Sequence, residues 1–214
     1  MSFKVKRDSE HRIFIKTEKK DKVALILHGY GGSKEEMLPL GIDLAKREIG
    51  STIIDLPGHG GRDELFTYEA FQRSIALELK CIPDECIVVG HSLGALMASR
   101  EDRRAVLISP PMEFYFEGAK RELLKALRVR NVKEETYFSG LKSVLGKIDF
   151  QLKKDSSCIV YGENDLSTVI DYAKKARESG VETHMIQNSG HLDILDSAEL
   201  AEVVGNWING VLNE

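Results

Sequence analysis

Cys86-Ile87-Val88-Val89 is a short, unbroken apolar run, and Gly90-His91-Ser92-Leu93-Gly94 follows it directly. A β-branched run of that length suits a strand buried on both faces, as in a parallel sheet covered by helices. Ala95-Leu96-Met97-Ala98 then reads as helix, so a G-x-S-x-G pattern sits at a strand-to-helix turn. Such a turn holds its serine in a strained backbone conformation. The flanking glycines are needed because a side chain at either place would collide with the neighbouring strand or helix. The hydroxyl of Ser92 is thereby lifted above the sheet, at a helix N-terminus that favours negative charge. This is the form of a nucleophile elbow.

The rest of the chain alternates in the same way. Phe3 to Lys6 and Ile13-Phe14-Ile15 predict an antiparallel hairpin at a sheet edge, and Glu18 to Lys22 a solvated turn. Val23 to Leu27 is a continuous apolar strand ending in His28-Gly29-Tyr30-Gly31-Gly32. Ser33-Lys34-Glu35-Glu36 reads as a capping box for a helix to about Glu48, with Pro39 placed to kink it or delay its start. Ser51 to Leu56 is a strand leaving through Pro57-Gly58-His59-Gly60-Gly61, and Thr67 to Cys81 has helical spacing. Further strands are expected at Ala105 to Ser109, Cys158 to Tyr161 and Val181 to Gln187, with a helix from about Ser167 to Ser179. A last helix opens on a capping box, Asp196-Ser197-Ala198-Glu199. Strand and helix in alternation predict an α/β fold, a mostly parallel sheet with helices on both faces.

One segment, about Met112 to Lys154, breaks this rhythm between two strands. It holds Phe114-Tyr115-Phe116, a helix-like stretch with Leu123, Leu124 and Leu127, and a second with Tyr137, Phe138, Leu141, Val144, Leu145 and Ile148. Insertions after a strand's C-terminal end lie over the ligand side of such a sheet, so this one reads as a small helical cap. Phe114, Tyr115 and Phe116 are its candidate substrate-binding residues. The segment has ten Lys or Arg against six Asp or Glu, while the whole chain has a net charge of −4. A basic cap over an acidic body could steer anionic substrates; the plainer reading is solvated helix faces.

At 214 residues, the chain is most simply a single domain spanning 1–214. Its charge and acidic balance argue against a general nucleic-acid binder. The first residues lack the apolar core of a signal peptide, and no apolar run approaches the roughly 20 residues of a membrane span. The expected location is cytoplasmic. Cys81, Cys86 and Cys158 form no metal-binding spacing and read as buried small hydrophobes. Cys81 and Cys86 bracket a loop short enough for a disulfide.

Ser92 alone is a weak nucleophile, needing a base and a carboxylate to orient that base. In an open parallel sheet these come from loops at the strands' C-terminal ends. Asp165 and His191 lie just past two such ends. Glu163 lies too early in its turn and Asp171 within the predicted helix; among the histidines, His59, His91 and His184 rival His191. His91 is expected to pack beneath the elbow, and His28 and His59 to bond loop backbone. The backbone N–H of Leu93, directly after the nucleophile, is one donor for a developing oxyanion.

The motifs His28-Gly29-Tyr30-Gly31-Gly32, Asp55-Leu56-Pro57-Gly58-His59-Gly60, Gly90-His91-Ser92-Leu93-Gly94, Gly162-Glu163-Asn164-Asp165 and Ser189-Gly190-His191 follow one another at strand ends. In this order the sequence resembles the α/β-hydrolases over nearly its whole length. The resemblance implies an α/β-hydrolase fold and a carboxylesterase-like serine hydrolase, with Ser92, Asp165 and His191 catalytic. It also implies the Tyr30 N–H as second oxyanion donor and no cofactor or metal. The expected partner is a small-molecule carboxylic ester or thioester of small to medium acyl size. A peptidase, C–C hydrolase or perhydrolase would use the same three residues. A non-catalytic binding protein of this fold would have no physical need for all three.

Overall fold

The computed structural model describes residues 2–111, 132–136, 138–147 and 152–212. Phe114, Tyr115 and Phe116 fall outside these residues, as do Leu123, Leu124, Leu127, Tyr137 and Ile148.

Among the described residues, eight strands form one sheet. They are β1 (Lys4–Ser9), β2 (Arg12–Lys16), β3 (Val23–Leu27), β4 (Gly50–Ile54), β5 (Ile87–His91), β6 (Ala105–Ile108), β7 (Ser157–Gly162) and β8 (Glu182–Ile186). Their spatial order is β1-β2-β4-β3-β5-β6-β7-β8. The hairpin β1–β2 joins β4 antiparallel, and every pairing from β4 to β8 is parallel. The helices are α1 (Lys34–Ala45), α2 (Tyr68–Leu79), α3 (Leu93–Ala98), α4 (Ser139–Lys147), α5 (Ser167–Glu178) and α6 (Ala198–Leu212).

Side-chain alternation along the strands divides the core in two. Leu25 and Leu27 of β3 join Val88, Leu107 and Ile159 on one face, against Phe71 and Ile75 of α2, Leu96 of α3 and Val169 of α5. Ala24 and Ile26 join Val89, Val106, Ile108, Cys158 and Val160 on the other, against Met37, Leu40 and Leu44 of α1 and Val204, Trp207 and Ile208 of α6. Both faces being covered explains why these strands read as continuous apolar runs. The mostly parallel sheet with helices on both faces is as expected.

Helix termini are where structure and sequence part. Ser33 occupies the N-cap of α1, but its side chain makes no capping bond; Asp55 Oδ1 takes the Lys34 N–H instead, at 2.7 Å. Pro39 lies inside α1 without delaying its start. The helix stops at Ala45, short of Glu48, because Glu48 adopts a left-handed φ of 64° and the Ile49 N–H returns to the Leu44 carbonyl. The last helix starts at Ala198, since Asp196 ends a 3₁₀ turn, Asp193–Asp196, rather than capping it. Cys81 is exposed, against expectation, while Cys86 and Cys158 are buried; all three thiols are free. No helix among the described residues is long and apolar enough to cross a membrane.

The described residues of the inserted segment are stitched to the rest of the protein. Lys133 donates its N–H to the Gly58 carbonyl and accepts from the Phe66 N–H, each at 2.8 Å. The Glu134 carboxylate caps α4 through the Phe138 and Leu141 N–H groups and accepts the Tyr30 hydroxyl at 3.1 Å. The cap lysines Lys133, Lys147 and Lys153 pair with Asp63, Glu69 and Asp102 of the body. Exposed pairs of this kind contribute about 0–1 kcal/mol each.

Candidate active site

β5 delivers Ser92 into a backbone conformation with φ 50° and ψ −113°. A non-glycine residue there costs about 1–3 kcal/mol. The elbow closes tightly enough that only glycine fits beside it. A Cβ on Gly90 would overlap the Gly94 carbonyl, and one on Gly94 would lie 2.5 Å from the Leu27 carbonyl oxygen. Across the elbow, the loop after β3 brings Gly29 so close that a Cβ there would stand 3.2 Å from the Ser92 Cβ. Gly29 thus brings the Tyr30 backbone beside Ser92.

His191 Nε2 is 3.0 Å from Ser92 Oγ, and His191 Nδ1 is 2.8 Å from Asp165 Oδ1. Asp165 is buried, and its remaining capacity is filled. Ser109 donates its hydroxyl to Oδ2 at 2.5 Å, and the Leu166 N–H donates to Oδ1 at 2.7 Å. Burial alone would raise this carboxyl; the bonds from His191, Ser109 and Leu166 outweigh it and hold the group below its ordinary value. Asp165 is thus ionised where it must favour the Nδ1–H tautomer of His191.

The other carboxylates and histidines separate cleanly. Glu163 accepts the Asn188 N–H at 2.9 Å, and Asp171 lies exposed on α5. His184 pairs with Glu182 on the outer strand β8. His28 and His59 bond loop backbone as expected. His28 Nδ1 meets the Gly29 carbonyl while its Nε2 accepts the Leu56 N–H, and His59 Nδ1 meets the Pro57 carbonyl. His91 sits beside the site. Its Nε2 lies 2.8 Å from the backbone carbonyl of His191, so it anchors the loop that holds the base.

Two further backbone bonds join the loops after β7 and β8. The Asn164 N–H donates to the Ser189 carbonyl and the Glu163 N–H to the Ile186 carbonyl, each at 2.8 Å. On the opposite flank, Asp55 holds the loop after β3 against the loop after β4. It accepts from Lys34 Nζ at 2.7 Å, the Lys34 N–H and the Gly61 N–H. Lys34 and Asp55 are both fully enclosed. Although His28 Nε2 is 4.0 Å from Asp55, burial pushes that imidazole down to about 4, so it brings no charge. Lys34→Met therefore leaves a buried carboxylate without its ammonium partner. The expected loss is about 3–5 kcal/mol, read from the midpoint of urea unfolding; a loss below about 1 kcal/mol would mean the pair behaves as a surface bridge.

Ser109, which bonds Asp165, is a site residue that the sequence expectations leave out. It follows β6 directly, at the same C-terminal sheet edge as Ser92, Asp165 and His191, and carries a left-handed φ of 48°. Position at that edge was the available signal.

A model of the alpha/beta hydrolase family matches residues 24–151. A relative, the biotin biosynthesis bifunctional protein BioHC of Cellvibrio japonicus (strain Ueda107), is 30% identical over 76 residues, or 36% of this chain. The aligned stretch is 15% of that protein's length, so the chain spans only a small part of the relative it matches. Among solved structures, a carboxylesterase study of the ammonia-oxidizing thaumarchaeon Nitrososphaera gargenis gives a TM-score of 0.69 at 13% identity, covering 99% of each chain. The thioesterase domain from the curacin biosynthetic pathway gives 0.63 at 16%, covering 97% of this chain and 99% of that one. E-2-(acetamidomethylene)succinate hydrolase gives 0.65 at 18%, covering 97% and 100%. The family match extends over more than half of the residues, and the chain belongs to the alpha/beta hydrolase family.

Proposed function

We propose that the protein is a serine hydrolase that cleaves carboxylic esters or thioesters of small to medium acyl groups through an acyl-enzyme. The observation that carries this reading is the continuous chain Ser92 Oγ–His191 Nε2, His191 Nδ1–Asp165 Oδ1, at 3.0 and 2.8 Å. His191 takes the Ser92 proton as Oγ attacks the carbonyl, and Asp165 stabilises the imidazolium that forms. The N–H groups of Leu93 and Tyr30 receive the oxyanion. His191 then protonates the leaving alcohol or thiol and activates the water that releases the acid. The neighbours named as carboxylesterase and thioesterase point to the same reaction class.

Nothing in this scheme asks for a metal or organic cofactor. Three of the segment's lysines, Lys133, Lys147 and Lys153, are paired with carboxylates outside it. A fluorophosphonate probe is expected to label one residue stoichiometrically, mapping to Ser92, and a p-nitrophenyl ester series to peak at short or medium chains. Absence of labelling would overturn the hydrolase reading in favour of a binding protein.

A further inference from the structure

A second cluster of reactive side chains lies at the opposite end of the strands. Cys158 and Glu182 are register partners at the start of β7 and β8, and His184 stands two residues on, beside Val160. Period-two alternation puts all three side chains on the face covered by α6. The Cys158 sulfur, a Glu182 oxygen and a His184 ring nitrogen all lie within 4.8 Å of one another. The Cys158 side chain is fully buried. Glu182 and His184 belong to the outermost strand, with side chains 53% and 37% exposed, so the cluster opens to solvent on one side.

Its surroundings favour a cation. A groove of about 610 Å³ between β8 and α6 is lined by Glu182, Glu199 and Glu202 together with His184, Asn206 and Trp207. No lysine or arginine among the described residues lines it. Trp207 Nε1–H donates to Glu182 Oε2 at 3.1 Å, fixing one carboxylate oxygen; Oε1 is turned to His184 Nε2, 2.7 Å away. Ligating carboxylates are oriented by outer partners of this kind.

We propose that Cys158, Glu182 and His184 form a binding site for a zinc-class divalent cation, separate from the reaction site. Thiolate, imidazole and carboxylate together suit such an ion and disfavour magnesium or calcium, which take oxygen ligands. Tetrahedral zinc sets its ligand atoms roughly 3.5 Å apart. The cluster must therefore contract from the widest present separation, with the His184–Glu182 contact opening to admit the ion. Both adjustments fall on side chains of an edge strand. Water or a groove glutamate completes the fourth position. The ion would tie β8 to its neighbour β7 beneath α6, which makes its role structural.

Titration of chelator-stripped protein with Zn²⁺ and with Co²⁺ tests this. One equivalent should bind at the micromolar level or tighter. The cobalt form should show a thiolate-to-metal charge-transfer band in the near ultraviolet. Cys158→Ala should abolish the band, and His184→Ala, on the exposed strand where folding is little affected, should weaken binding roughly tenfold or more. His191→Ala should retain both binding and band. A wild type without the band, a band that survives Cys158→Ala, or binding lost only in His191→Ala would each overturn the proposal.

Discussion

Ser92→Ala is expected to lower ester turnover by on the order of 10⁶-fold. Alanine keeps the β-carbon and the backbone strain at φ 50°, so the elbow and its glycine contacts persist. What is lost is the proposed attacking atom, together with the hydrogen-bond partner of His191 Nε2. Asp165 and His191 would then be poised with no proton to take. Any residual rate comes from substrate binding and oxyanion stabilisation, which together leave roughly 10³–10⁴-fold over water. Single-turnover assays with the best p-nitrophenyl ester, alongside the urea midpoint, separate chemistry from folding. An unchanged midpoint with turnover within tenfold of wild type would exclude Ser92 as nucleophile.

Acidification is expected to destabilise the fold steeply between about pH 6.5 and 4. Burial pushes His28 and His91 down to about 4 and His59 to about 3. In the unfolded chain each returns to its ordinary value near 6.5. The unfolded state therefore binds more protons across this window, and stability rises with pH through it. Each histidine contributes about 1.4 kcal/mol per pH unit, and the three together roughly 4. A domain at the low end of the ordinary range of about 5–15 kcal/mol would unfold near pH 5. The depressed Asp165 carboxyl adds to the loss only at still lower pH. Urea unfolding at pH 7, 6 and 5 measures the slope, and His59→Gln should reduce it by about a third. A flat profile over this range would mean that the histidines are not held neutral.

The meeting of Ser92, Asp165 and His191 at one sheet edge was legible in the sequence because each position is set locally. A strand ends, a short loop follows, and the side chain lies within a few residues of the end. The sheet was legible for a related reason: its strands are covered on both faces and stand out as apolar runs. What escaped depends on contacts between distant segments. Nothing near Lys34 announces that its ammonium is buried against Asp55 or that Asp55 replaces Ser33 as cap. Glu134 reads as a surface acid until the cap folds back to Tyr30. Ser109 carries no motif, and its partner Asp165 lies past the next strand end, 56 residues on in the chain. Glu48 ends a helix in a conformation usually left to glycine, so the sequence placed that end too late.

The backbone bonds between Asn164 and Ser189 and between Glu163 and Ile186 have a mechanical consequence. They weld the loops bearing Asp165 and His191 into one jaw, while Ser92 rides on the other. The two jaws meet at the 3.0 Å contact of Ser92 with His191, and the His91 side chain acts as a pin across the joint. Loosening of the molecule would thus part serine from histidine before it parts histidine from aspartate. The second position of Gly90-His91-Ser92-Leu93-Gly94 then governs alignment of the jaws, although it takes no part in the chemistry.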